Sequence, residues 1–186
     1  MIFNVELKQQ LNHERQGYYD MVDIKNIKLI IYDFDGVMTD NHVYLNQDGV
    51  EMAMCHRGDG LGVGIIRDLG IEQYIVSTEV NPIVARRAEK LKIGVMHKVA
   101  NKAEAVKQLC AEKKVDLSQV LYIGNDTNDL EAMKLAGVKG APADAEPEIL
   151  AIADWVSTKN GGYGVIRELA RVLSETKEYN FSFRSE

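Results

Sequence analysis

From residue 27 onward, short aliphatic runs alternate with stretches whose apolar residues recur at helical spacing. The runs at 28–32, 73–76, 95–97, 120–123 and 138–141 read as strands, and the periodic stretches at 61–69, 82–91, 102–113, 129–135, 147–151 and 165–173 as helices. Such βα alternation predicts an α/β fold, a Rossmann-like three-layer sandwich in which helices cover both faces of a central parallel sheet. Between the first two strands, residues 43–52 alternate around Asp48-Gly49, the pattern of a small β-hairpin flap. The interval from Asp35 to Ser77 holds only this hairpin and one helix, too little for a cap domain.

Residues 1–26 are polar and poorly patterned and read as an arm, 27–174 as one domain, and 175–186 as a tail carrying Phe181 and Phe183. The balance of 22 Lys plus Arg against 28 Asp plus Glu leaves a formal charge of −6. Without a concentrated basic face, binding to nucleic acid or to an anionic membrane is not expected, so any anionic substrate must be held by local groups. Two cysteines, Cys55 and Cys110, make neither a disulfide framework nor a Cys-based zinc site, and no apolar stretch reads as a signal or a membrane span. A cytoplasmic protein is expected.

The chemistry concentrates where strands end. Ile30-Ile31-Tyr32-Asp33-Phe34-Asp35-Gly36 is an apolar strand that delivers two carboxylates to a turn, at the carboxyl edge where ligands bind in open α/β sheets. One acid can stay ionised as nucleophile and metal ligand while the other holds a proton; the same pair would also serve as turn and cap residues. The second strand ends in Ser77-Thr78-Glu79, where a hydroxyl can donate to a phosphoryl oxygen or cap the next helix. Lys102 opens a helix, a site unfavourable for a cation unless an anion lies between it and the helix dipole; a solvated surface lysine is the other reading. Gly124-Asn125-Asp126-Thr127-Asn128-Asp129 offers oxygen ligands for a hard cation, or an Asx-rich turn.

In that order these motifs resemble those of the haloacid dehalogenase superfamily, over about residues 28–173. The likeness extends to the capless branch: KDO 8-phosphate phosphatases, nonulosonate 9-phosphate phosphatases, and the phosphatase-like domain of acylneuraminate cytidylyltransferases. It rests on Arg57-Gly58-Asp59-Gly60-Leu61-Gly62, Ser77-Thr78-Glu79-Val80-Asn81-Pro82, Arg86-Arg87-Ala88-Glu89-Lys90-Leu91 and Gly161-Gly162-Tyr163-Gly164-Val165-Ile166-Arg167-Glu168. The resemblance implies a Mg²⁺-dependent phosphomonoesterase in which Asp33 attacks phosphorus, Asp35 is the acid and then the base, and Ser77 and Lys102 bind phosphoryl oxygens. It places Mg²⁺ on Asp33, the Asp35 carbonyl and the loop of Asn125 and Asp126. It places Gly36, Asp59, Gly60, Thr78, Glu79, Arg87 and Lys90 at the substrate, with Arg87 and Lys90 drawing the sugar-acid carboxylate and Glu79 accepting from hydroxyls.

Two departures qualify this. Asn125 stands where an aspartate is usual, which weakens the expected metal affinity, and Gly58 stands where KDO 8-phosphate phosphatases tend to carry arginine, which favours a nonulosonate. The resemblance also implies a homotetramer that covers the capless site, with the hairpin meeting other copies and the Gly161-Gly162 region and tail reaching a neighbouring site. The alternative is a weakly active or non-catalytic oligomerisation module associated with a cytidylyltransferase.

Overall fold

A computed structural model describes residues 26–182, with side chains described as far as residue 175. The expected arm falls outside the described residues but for Asn26, as do 183–186. Strand β1 (Leu29–Tyr32) is buried at every position, as a strand covered on both faces must be. It pairs in parallel with β4 (Glu72–Val76) on one side and β6 (Val120–Ile123) on the other. With β5 (Gly94–Met96), β7 (Val138–Ala141) and β8 (Trp155–Val156), the order is β5-β4-β1-β6-β7-β8, all parallel. The chain steps outward from β1 through β4 to β5, then returns to β1's other flank at β6. The reversal beside β1 opens a crevice at the carboxyl ends of β1, β4 and β6.

Side chains of β1 alternate between two cores. Ile30 and Tyr32 join Val63 and Ile66 of α1 (Arg57–Asp68), Val84 and Ala88 of α2 (Ile83–Leu91), and Ile166, Leu169 and Leu173 of α6 (Val165–Ser182). Leu29 and Ile31 join Val106 and Leu109 of α3 (Lys102–Lys113), Met133 of α4 (Leu130–Leu135) and Ile149 of α5 (Pro147–Leu150). The layers are those the alternation predicts, and the five expected strands fall within one residue of their observed ends.

Three expectations shift. Helix α1 starts at Arg57 rather than 61 and so takes in Gly58 and Gly60; farther along it, a Cβ on Gly62 would lie 2.7 Å from the Ile166 carbonyl oxygen and 2.9 Å from the Arg167 Cα. Helix α6 continues to Ser182, into the expected tail. The two-residue β8 was too short to carry a periodic signal. The hairpin is present, with β2 (Tyr44–Leu45) antiparallel to β3 (Glu51–Met52). The Asn46 side chain accepts from the Asp48 and Val50 amides, and Gly49 takes φ +74°. Among the described residues, no helix is long and apolar enough to cross a membrane.

The α1–α6 contact separates two glycines of one helix. Gly62→Ala is expected to lower stability by about 1–3 kcal/mol through overpacking. Gly64→Ala, whose new methyl meets nothing within 4 Å, is expected to raise it by about 0.5–1 kcal/mol through helix propensity. Urea midpoints of the two variants, moving in opposite directions, check this.

Candidate active site

The amide of Asp33 donates to the Ile123 carbonyl at 2.9 Å, so β1 pairs for one residue beyond its regular end and carries the carboxylate into the crevice. The chain then turns, with Met38 and Thr39 amides returning to Phe34 and Gly36 at φ +80°. A Cβ on Gly36 would lie 2.1 Å from Asn125 Nδ2, so only glycine lets this loop meet the loop after β6. From the other side Gly162 donates to the Val37 carbonyl at 3.1 Å, and a Cβ on Gly161 would sit 2.0 Å from the Gly36 carbonyl oxygen. Within one copy, then, the Gly161-Gly162 turn backs its own Asp33 loop.

Lys102 Nζ stands 2.8 Å from Asp33 Oδ1 and 2.8 Å from Asp129 Oδ1, and all three side chains are shut away from solvent. Asp129 is saturated: Tyr122 Oη donates to the same oxygen at 2.7 Å, and the Asn125 and Asp126 amides reach Oδ2 at 3.1 and 3.4 Å. The anion that Lys102 needs at the start of α3 is therefore supplied twice. Burial is the largest influence on Asp33, pushing its carboxyl up to about 8, with Asp129 adding to the rise and Lys102 opposing it. For Lys102 burial works against the ammonium, and the two carboxylates more than reverse it, so its affinity for a proton ends above the ordinary lysine range. Asp129, which ends the acidic motif and was expected at most to compensate for Asn125 at the metal, holds Lys102 instead; Tyr122 was not among the expected site residues, and nothing in an apolar strand marks it.

Asn125 presents its amide oxygen 2.8 Å from the Asp35 carbonyl oxygen and 3.3 Å from Asp33 Oδ2. Turning the amide over would make it a donor to both. In the orientation shown, three oxygens face one another with no hydrogen between them. Adjacent ligands of an octahedral Mg²⁺ stand about 2.9 Å apart, so these donors fit a small hard cation. No group of three His, Cys, Asp or Glu side chains forms a metal site among the described residues, and the donor set here is mixed: carboxylate, amide and backbone carbonyl. Asp126, expected as a ligand, has one oxygen engaged locally: its Oδ1 accepts from the Thr127 amide at 2.6 Å and caps the short 3₁₀ turn Thr127–Asp129.

Asp35 is half-buried in a narrow cleft with His42, Glu51, Met52, Glu79 and Asn81. Burial and then the Glu79 charge push its carboxyl up, Lys102 opposes, and Glu51 adds a little. Ser77 is buried; its Oγ accepts from the Glu79 amide at 3.0 Å and donates to no described residue, leaving that hydrogen for a ligand. Thr78 is exposed and lines a separate cavity with Asn101, Lys102 and Asn128. Glu79 is folded back on the Val80 and Asn81 amides. Asp59 and Gly60, expected at the substrate, are not in this cleft: Asp59 is buried against α6 and accepts from the Arg167 amide at 3.0 Å, and Gly60 faces Leu91. Burying the start of α1 against α6 and α2 takes both away from the ligand. Arg87 donates to the His56 carbonyl at 3.1 Å and Lys90 is exposed one turn later; neither lines the Asp35 cleft in a single copy.

Removing the ammonium would leave two enclosed carboxylates facing each other. Lys102→Met is expected to destabilise the fold by about 3–5 kcal/mol. Ser77→Ala, which deletes only a local cap, should cost about 1 kcal/mol or less. Urea unfolding of both variants measures the difference.

The family model for haloacid dehalogenase-like hydrolases matches residues 69–169. The 3-deoxy-D-manno-octulosonate 8-phosphate phosphatase of Haemophilus influenzae is 32% identical over 83% of this chain and 86% of its own length. The N-acylneuraminate cytidylyltransferase A of Danio rerio is 26% identical over 84% of this chain, which spans only 37% of that relative. The crystal structure of the 3-deoxy-D-manno-octulosonate 8-phosphate phosphatase of Moraxella catarrhalis, in complex with magnesium, phosphate and KDO, superposes with a TM-score of 0.80 at 29% identity, covering 87% of this chain and 94% of that one. With a hydrolase model over more than half of its length, and a phosphatase relative matched nearly end to end, the chain belongs to the haloacid dehalogenase-like hydrolase family and is an enzyme of phosphatase type.

Proposed function

We propose that this protein is a Mg²⁺-dependent phosphomonoesterase acting on a 3-deoxy-2-keto sugar-acid phosphate. The observation that carries the reading is the convergence, at the end of β1, of the Asp33–Lys102–Asp129 charge group with the three oxygens of Asp33, Asp35 and Asn125. Mg²⁺, when bound by those oxygens, supplies positive charge against the phosphoryl group and the attacking carboxylate. The Asp33 carboxylate attacks phosphorus as the bond to the sugar oxygen breaks, and Asp35 gives its proton to that leaving oxygen. In the second step Asp35 takes a proton from water as the water oxygen attacks phosphorus, and the bond to Asp33 breaks to free phosphate. Burial and the neighbouring Glu79, which push the Asp35 carboxyl up, suit a group that must arrive protonated. The Ser77 hydroxyl and the Lys102 ammonium receive the non-bridging oxygens.

The phosphatase relatives support KDO 8-phosphate as substrate, while the Gly58 departure supports a nonulosonate 9-phosphate. Phosphate release from KDO 8-phosphate, KDN 9-phosphate and N-acetylneuraminate 9-phosphate is expected for at least one ester, lost with EDTA and regained with Mg²⁺. Release that persists in EDTA would overturn the metal assignment. The likeness to a cytidylyltransferase favours the second reading, a non-catalytic module, and that reading requires no release from any ester with Mg²⁺ present.

Assembly follows from the hairpin. Val43, Leu45, Val50 and Met52 are each more than half exposed on a two-stranded ribbon, which has no core of its own to protect it. The proposed occupant is other copies of this chain in a homotetramer, which would also roof the capless cleft. Sedimentation equilibrium should give a tetramer, and Val43→Ser with Leu45→Ser should shift it to smaller species; a monomer in the unaltered protein would refute the assembly. A cytoplasmic setting suits the two free thiols, Cys55 half-buried and Cys110 buried.

A further inference from the structure

Another cavity, of about 580 Å³, lies along α1, α6 and the loop that precedes α6, and it shares no lining residue with the Asp35 cleft. That volume is ordinary for a small-molecule site. Although the chain carries a formal charge of −6, cations outnumber acids here: Lys159, Arg167 and Arg171 line the cavity together with the one carboxylate of Glu168. That carboxylate is already committed. Its oxygens accept from the Ser157 and Thr158 hydroxyls and from the Thr158 amide, which fixes the loop carrying Lys159 against α6. Arg167 and Arg171 stand one turn apart on α6. The Arg167 guanidinium and the Lys159 ammonium bond no described residue, and Arg171 comes no nearer than 3.9 Å to Glu168 and 3.8 Å to Glu175. Like charges gathered on one concave surface repel until an anion joins them.

Two rings line the same cavity. Tyr163 is 54% exposed and its hydroxyl bonds no described residue. The His56 imidazole lies where glycines on two sides leave it room: a Cβ on Gly58 would sit 2.8 Å from its Cε1, and one on Gly164 would sit 3.3 Å from its Nδ1. Planar faces beside uncommitted cations suit a ligand that joins an aromatic ring to phosphates.

We propose that this cavity binds a nucleotide, with its phosphates on Lys159, Arg167 and Arg171 and its base stacked on the Tyr163 ring. The site is distinct from the one that would hold the sugar-acid ester and does not depend on that reading. The loop that bears Lys159 and Tyr163 also bears the Gly161-Gly162 turn behind Asp33, so one loop borders both sites.

Equilibrium dialysis in EDTA tests it, with ATP and CTP as purine and pyrimidine probes and with pyrophosphate and the two nucleosides as their parts. At least one nucleotide is expected to bind, more tightly than pyrophosphate or its own nucleoside; binding of neither overturns the proposal. Lys159→Gln with Arg171→Gln should weaken that nucleotide at least about tenfold. Lys107→Gln with Lys134→Gln, which removes equal charge from exposed ion pairs elsewhere, should change it by less than about twofold. Equal weakening by the two pairs overturns the site in favour of diffuse attraction. Tyr163→Ala should cost at least about fivefold and Tyr163→Phe almost nothing. Binding indifferent to Tyr163→Ala, or pyrophosphate held as tightly as the nucleotide, overturns the assignment to nucleotides. Ser77→Ala should leave binding unchanged, and a loss there overturns the proposal by placing the nucleotide in the Asp35 cleft.

Discussion

A single buried ammonium organises this molecule's chemistry. Lys102 stands between Asp33 and Asp129, and its removal would leave two carboxylates uncompensated in a low-dielectric interior. With both acids ionised the group would carry one net negative charge, and burial together with Asp129 pushes the Asp33 carboxyl up to about 8. A divalent cation on the far side of Asp33 would reverse that. In the proposed mechanism the same carboxylate would be a poor nucleophile alone and a competent one with both positive neighbours in place.

Asp129 links this electrostatics to the fold. Its four hydrogen bonds tie the ammonium and the Tyr122 hydroxyl to the amides of Asn125 and Asp126, so the loop that offers Asn125 to a cation is shaped by the residue that holds Lys102. On the other flank, Gly36 admits the Asn125 side chain and Gly161 admits the Gly36 carbonyl, where a Cβ would separate them. Asp33 is set by contacts between loops, and the loops by the strands they leave.

Period and turn chemistry made the architecture legible: the buried run of β1, the Asp48-Gly49 turn and the amphipathic α2 and α3 each state their own conformation locally. Lys102 was legible for a similar reason, because a cation opening a helix conflicts with the dipole until an anion is found. What stayed hidden depends on partners distant in sequence. Residues 57–60 read as lying ahead of the helix, and Asp59 reads as a ligand until the amide of Arg167, far along the chain, is found on it. Asp126 reads as a metal ligand by type; the short turn after it claims its oxygen instead.

Asn125 gives the departure from the usual aspartate a physical meaning. An amide oxygen holds a hard cation less strongly than a carboxylate, which lowers affinity for the metal in the empty enzyme. The same neutrality leaves the loaded site one unit more positive. In a chain of net charge −6, with Glu51 and Glu79 beside Asp35, that unit acts where a phosphate dianion must enter. Weaker retention of the cation and stronger attraction of the ester are two consequences of one substitution. The balance between them depends on the site being closed, since both interactions strengthen as water leaves. On the proposed reading, a capless enzyme with an amide at this position depends on its roof more than one with an aspartate does, and in the proposed assembly the exposed apolar hairpin beside Asp35 would provide it.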